Sequence, residues 1–195
     1  MKKSLKDRVS DKLVKAFLKN KVISPIPKKF TKKLSEADKF RKLCESKIAE
    51  PIIGFKAGGT FIPLIKKLKE KEPFYASVFK RNLLKSGKKV KLNKYPVGIE
   101  VEVAFLLKKT FFSHSGKITK RNIIKYISHM APCIEVVGYR QRRKGVTSFG
   151  DLCSDCGGNV KFFLGQKKKY KKINIGNLKT SITNKKIKQS VSGNT

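Results

Sequence analysis

The stretch Val97-Gly-Ile-Glu-Val-Glu-Val-Ala-Phe-Leu-Leu107 decides how the chain is read, because it is a long apolar run interrupted only by two carboxylates. Alternation at a period of two makes it a β-strand with Ile99, Val101 and Val103 on one face and Glu100 and Glu102 on the other. The two carboxylates then stand on the same side, about 7 Å apart along the strand. A second apolar run, Pro132-Cys-Ile-Glu-Val-Val-Gly138, carries a third, Glu135. A carboxylate held among apolar neighbours must be protonated, paired or bound to a cation, since an uncompensated buried charge costs several kcal/mol. Three converging carboxylates would repel one another, and a hard divalent cation relieves that. Oxygen-only ligands select Mg²⁺, Mn²⁺ or Ca²⁺ over zinc. The residues alone leave two readings open: such a metal site, or a solvent face on which Glu100 and Glu102 pair with the abundant lysines.

Acids are scarce throughout. The 195 residues contain 48 Lys and Arg against 13 Asp and Glu, a formal net charge of +35. Such a balance invites a nucleic-acid reading, but the lysines are spread along nearly every polar segment, with runs such as Lys66–Lys71 and Lys167–Lys172. Lysine also outnumbers arginine, the residue that reads bases and forks onto phosphates. The expectation is a set of solvated lysine faces with no specific nucleic-acid partner and only weak, salt-sensitive attraction to polyanions. No apolar stretch approaches the ~18 residues of a membrane span. The basic start Met1–Val9 passes into polar residues without the apolar core of a signal peptide. A cytoplasmic protein with no membrane partner is therefore expected, and Cys44, Cys133, Cys153 and Cys156 read as free thiols. Cys153-x-x-Cys156 has no second pair to complete a zinc site, and His114 and His129 lack ligand spacing.

The length allows one sizeable domain or a small one with an N-terminal appendage. Val9, Leu13 and Phe17 predict a helix over Asp7–Lys19. Ala37, Phe40, Cys44 and Ile48 predict another over Ser35–Ala49, with Ser35 as its N-cap. Pro25 and Pro27 separate the two. A strand starts at Ile52 and runs into a tight turn at Gly58-Gly59. Ile123, Ile124 and Ile127 predict a helix over Thr119–Met130 that Pro132 stops. Further strands are expected at Ile134–Val137, Val160–Leu164 and Leu178–Ile182. These elements describe an α/β fold of the α+β type, with an N-terminal helical segment over residues 1–50 and a β-rich domain over 51–195.

Five blocks occur in a telling order: Gly-Phe-Lys-Ala-Gly-Gly-Thr at 54–60, Glu-Pro-Phe-Tyr at 72–75, Gly-Ile-Glu-Val-Glu-Val-Ala-Phe at 98–105, Pro-Cys-Ile-Glu-Val-Val-Gly-Tyr-Arg at 132–140 and Asp-Leu-Cys-Ser-Asp at 151–155, before Phe-Leu-Gly at 163–165. In this the chain resembles the 2-oxopent-4-enoate hydratases of the fumarylacetoacetate hydrolase superfamily. The resemblance implies that family's mixed β-roll core with flanking helices and a homo-oligomer. It implies a metal-dependent hydro-lyase of aromatic-compound breakdown, adding water to the small acid 2-hydroxypenta-2,4-dienoate to give 4-hydroxy-2-oxopentanoate. By matching position, Glu100, Glu102 and Glu135 would ligate Mg²⁺ or Mn²⁺, Lys56 and Asp155 would serve the reaction, and Arg140, Gly59 and Thr60 would face the substrate. It also implies alternatives on the same scaffold, a 2-oxo acid decarboxylase or an acylpyruvate hydrolase. Ser154-Asp155-Cys156 stands where the family commonly has Ala-Asp-Asn, and the family's C-terminal glycine-rich segment has no counterpart before Thr195. An expectation of weak activity follows, with an inactive basic fragment that binds polyanions nonspecifically as the remaining reading.

Overall fold

The computed structural model describes residues 3–90, 97–108, 117–141, 148–174, 177–184 and 189–194; His114 lies outside them. The chain divides into two compact units, one made of Met1–Leu83, Lys89–Gly98 and Val136–Lys161, the other of Leu84–Lys88, Ile99–Glu135 and Phe162–Thr195.

In the first unit, helix α1 (Leu5–Lys19) begins where the Asp7 N–H donates to Ser4 Oγ and ends at Asn20, whose left-handed φ of 48° closes the last turn. It buries Leu13, Val14, Ala16 and Phe17, as the spacing predicts. Helix α2 (Leu34–Ser46) buries Ala37, Phe40 and Cys44 but is capped differently from expectation: Lys33 is the N-cap residue and Ser35 lies inside the helix. Leu34 packs on the cluster of Ala37, Phe74, Phe149 and Cys153, which draws the helix start one residue earlier. Strand β1 (Ile52–Gly58) pairs antiparallel with β2 (Phe74–Phe79), setting Lys56 opposite Ala76 and Gly58 opposite Phe74. Helix α3 (Ile62–Leu68) joins them. The expected glycine turn is present: Gly59 has φ +73°, and a Cβ there would lie 2.4 Å from the Phe149 ring. Glycine is thus required both by the backbone and by the close approach. Phe149 opens a short helix, α5 (Phe149–Ser154), whose Asp151 N–H donates to Ser148 Oγ. Phe17 against Phe79 and Phe74 against Phe149, each 5.6 Å edge to face, tie the helices to β2.

The larger sheet has the order β3-β6-β5-β4, with β7 added to β5, from strands β3 (Leu83–Lys85), β4 (Val97–Leu107), β5 (Ile127–Gly138), β6 (Asn159–Leu164) and β7 (Lys168–Lys169). β4 is the strand its alternation predicts. The helix expected over Thr119–Met130 shrinks to one turn, α4 (Lys120–Ile123), and a tighter turn over Ile124–Tyr126, after which β5 begins. The Thr119 and Asn122 side chains cap each other's backbone and start the turn. From Ile127 onward, however, sheet contacts take over: Ser128 Oγ donates to Leu106 O at 2.9 Å and the Tyr170 N–H to Ser128 O at 3.0 Å. A run of β-branched isoleucines gives up helix for strand at little cost once partners are available. Pro132 therefore lies within β5 instead of ending a helix, and its carbonyl accepts the Gly165 N–H at 2.9 Å. A separate hairpin pairs β8 (Lys179–Asn184) with β9 (Gln189–Asn194), its first strand near the one expected at Leu178–Ile182. All four cysteines are free and buried, and among the described residues no helix is long and apolar enough to cross a membrane.

One buried network joins α2 to β2. Arg41, 1% exposed, donates to Glu45 and Asp38 and stacks over the Tyr75 ring at 4.4 Å. Glu45 in turn accepts from the Ser77 N–H and hydroxyl at 3.0 and 2.7 Å. Glu45→Ala leaves a buried guanidinium short of its main partner. We expect it to lower stability by about 3–5 kcal/mol, read from urea denaturation, whereas Glu36→Ala on the exposed face of α2 should leave the urea midpoint nearly unchanged.

Candidate metal centre

Contacts at both ends show β4 and β5 running antiparallel: the Lys108 N–H donates to Tyr126 O at 2.7 Å, and Gly98 faces Val137. This pairing sets Glu135 beside Glu100 and Glu102. Carboxylate oxygens of the three lie within 4.8 Å of one another, with Glu100 exposed, Glu102 half-buried and Glu135 wholly buried. Oxygens sharing one Mg²⁺ or Ca²⁺ stand at most about 4–5 Å apart, twice the metal–oxygen distance. The donor set and its spacing therefore fit a hard divalent ion. Among the described residues this is the one group of three ligand-type side chains so gathered, and Cys153 and Cys156 belong to no such group. The negative field extends to Cys133: burial, reinforced by the Glu102 and Glu135 charges, pushes its thiol up to about 11.

In the first unit, Lys56 is 7% exposed, unlike the lysines of the solvated faces, and its Nζ lies 3.5 Å from Gly157 O. Arg140 and Asp155 are both fully buried and bind each other. The Arg140 N–H donates to Asp155 Oδ2 at 2.7 Å and its guanidinium to Oδ1 at 3.2 Å and to Asn159 O, while lying over the Phe17 ring at 4.7 Å. Arg140 is thus placed as a brace between α1, Asp155 and β6. Gly59 packs on Phe149, and Thr60 beside it is exposed. Sequence reasoning weighed Cys156 as a thiol and as a departure from the family's pattern but passed over the turn it opens: Cys156, Gly157 and Gly158 have φ of +50°, +71° and +71°, and Asn159 after them is wholly buried. The Gly157-Gly158 pair was the available signal.

No family model matches the sequence, and no curated protein matches it. Solved structures do. A 4-oxalocrotonate decarboxylase from Pseudomonas putida G7, complexed with magnesium and adipate, superposes with a TM-score of 0.74 at 15% identity, covering 93% of this chain and 72% of that one. The same enzyme complexed with calcium and acetate gives a TM-score of 0.72 at 15% identity, with the same coverage. The chain therefore has the fold of that decarboxylase, a mixed α/β fold as expected.

Burial pushes the Asp155 carboxyl up to about 6 against the pull of Arg140. The folded state then holds that proton more tightly than the unfolded one, so the contribution of Asp155 to stability is complete below pH 3.8 and is lost as pH rises through about 6. Asp155→Asn cannot titrate. Wild-type stability minus that of the variant should therefore fall across this window in chemical denaturation, and a difference that rises with pH would contradict the assignment.

Proposed function

We propose that the protein is a divalent-metal-dependent lyase acting on a small 2-hydroxy-dienoic or 2-oxo acid, specifically a hydratase that converts 2-hydroxypenta-2,4-dienoate to 4-hydroxy-2-oxopentanoate. The observation that carries the reading is the convergence of Glu100, Glu102 and Glu135, with oxygens within 4.8 Å, in a chain otherwise poor in acids. Mg²⁺ or Mn²⁺ held there would supply Lewis acidity toward the oxygens of a 2-oxo acid. Glu135, shielded from water, fixes the inner side of the site, while Glu100 and Glu102 come from one face of β4. Three protein carboxylates leave positions of a six-coordinate ion for a bidentate ligand. To Lys56 we assign proton handling in the same reaction, as the resemblance implies; an ammonium held out of bulk water can donate to a developing carbanion or oxyanion. Asp155, held by Arg140, supports the turn beside Lys56.

A second reading, decarboxylation of a 2-oxo acid, is favoured by the fold neighbour, which is a decarboxylase. Both chemistries need charge on a 2-oxo group stabilised by a cation; they differ in whether a C–O bond forms or a C–C bond to carboxylate breaks. Incubating the chain and Mn²⁺ with 2-hydroxypenta-2,4-dienoate should consume the diene absorbance without release of CO₂. Release of CO₂ from a 2-oxo dicarboxylate with no hydration would assign the decarboxylase instead, and turnover of neither would contradict the lyase reading.

Calorimetric titration with Mn²⁺ should show one site per chain, weakened at least about tenfold by Glu135→Gln, the lower end of what disturbing a metal's ligand shell costs. Equal binding by wild type and variant would remove the site. Lys56→Ala should lower turnover at least ~100-fold with metal binding retained; full activity in the variant would make Lys56 a structural residue.

A further inference from the structure

The turn after Asp155 is unusual in holding three consecutive residues at positive φ, one of them the non-glycine Cys156. Such a backbone persists only where its surroundings require it. Here the requirement is close approach to β2: a Cβ on Gly157 would lie 2.6 Å from Ala76 Cβ, so only glycine lets the turn sit down on the sheet. Ala76 is the partner of Lys56 in the β1–β2 ladder, so the same descent brings Gly157 O to the Lys56 ammonium. Asn159, wholly buried, donates from Nδ2 to Ser77 O at 2.9 Å, which fixes the orientation of its amide. Its Oδ1 is thereby turned toward the turn, 3.2 Å from the point where a Gly157 Cβ would stand, and Lys56 Cδ is 3.6 Å from that same point. Oδ1 has no hydrogen-bond partner among the described residues. A buried amide oxygen ordinarily has one, and a lysine ammonium brings three donors.

The geometry points to the Cys156–Gly158 turn and Asn159 as a carbonyl cradle that orients Lys56, with Gly157 O accepting one ammonium hydrogen and Asn159 Oδ1 standing as the open acceptor that a rotation of the lysine side chain brings to a second. Gly157 and Asn159 are positioning residues, acting through Lys56; the inference rests on the role given to Lys56 above. The cradle aims the ammonium while β1 and β2 keep it out of bulk water.

The test is residue-resolved acetylation of the full chain at pH 8, read by mass spectrometry, because only the free amine reacts. In Asn159→Ala, which removes one acceptor of the cradle, Lys56 should react several-fold faster. In Asn159→Asp, where a carboxylate replaces the amide oxygen, Lys56 should react several-fold more slowly. Exposed Lys66 and Lys67 should react as in wild type. Simple loosening of the fold would speed Lys56 in both variants, and that result, or no change in either, overturns the cradle. Should Asn159→Ala fail to fold, Asn159→Asp decides alone, with a faster or unchanged rate counting against the proposal. None of these readouts depends on turnover or metal binding, so the cradle and the lyase reading fail separately.

Discussion

The mutual repulsion of three carboxylates brought together by the pairing of β4 with β5 is the constraint around which the candidate chemistry is organised. It is conspicuous in a chain with a net charge of +35. What resolves such a cluster is a proton or an ion within bonding distance, and oxygen-only donors at this spacing suit a hard divalent ion best.

The first unit solves the problem of buried charge differently. Its two fully buried arginines, Arg41 and Arg140, each bind a carboxylate and each cover an aromatic ring, Tyr75 and Phe17 respectively. Guanidinium suits this use because its planar fork gives donors in the ring plane and an apolar face above it. Lysine, by contrast, decorates the outside, and Lys56 is the described lysine that the fold draws inside. The division of labour between the two cations means that the large net charge carries little information about the interior, where the placement of a few arginines and acids decides the architecture.

How much of this was legible in the sequence follows from which forces are local. The period-two alternation of Val97–Leu107 announced β4 and the shared face of Glu100 and Glu102, since both depend only on neighbouring residues. Helix α1 was equally plain from its apolar stripe. The segment after Thr119 was misread because Ile123, Ile124 and Ile127 suit one face of a helix and also a strand, and the choice was made by β4 and β7, which are distant in sequence. The convergence of Glu135 on the other two carboxylates was not visible in spacing; the resemblance supplied it, and strand pairing accounts for it. Asn159 went unnoticed because a lone asparagine after a Gly-Gly turn has no pattern of its own. Its burial, and its place beside Lys56, exist only once β1, β2 and the turn are assembled. That the decarboxylase fold is reached at 15% identity fits the same picture: an apolar frame of the right pattern and volume can be filled by many sequences.

The central claim is that Glu100, Glu102 and Glu135 hold one divalent ion. The most direct measurement is anomalous diffraction at the manganese edge from crystals grown with Mn²⁺. The account requires a single strong peak within about 2.0–2.6 Å of an oxygen from each of the three carboxylates. Manganese bound elsewhere on the chain while these three oxygens stay uncoordinated would contradict it.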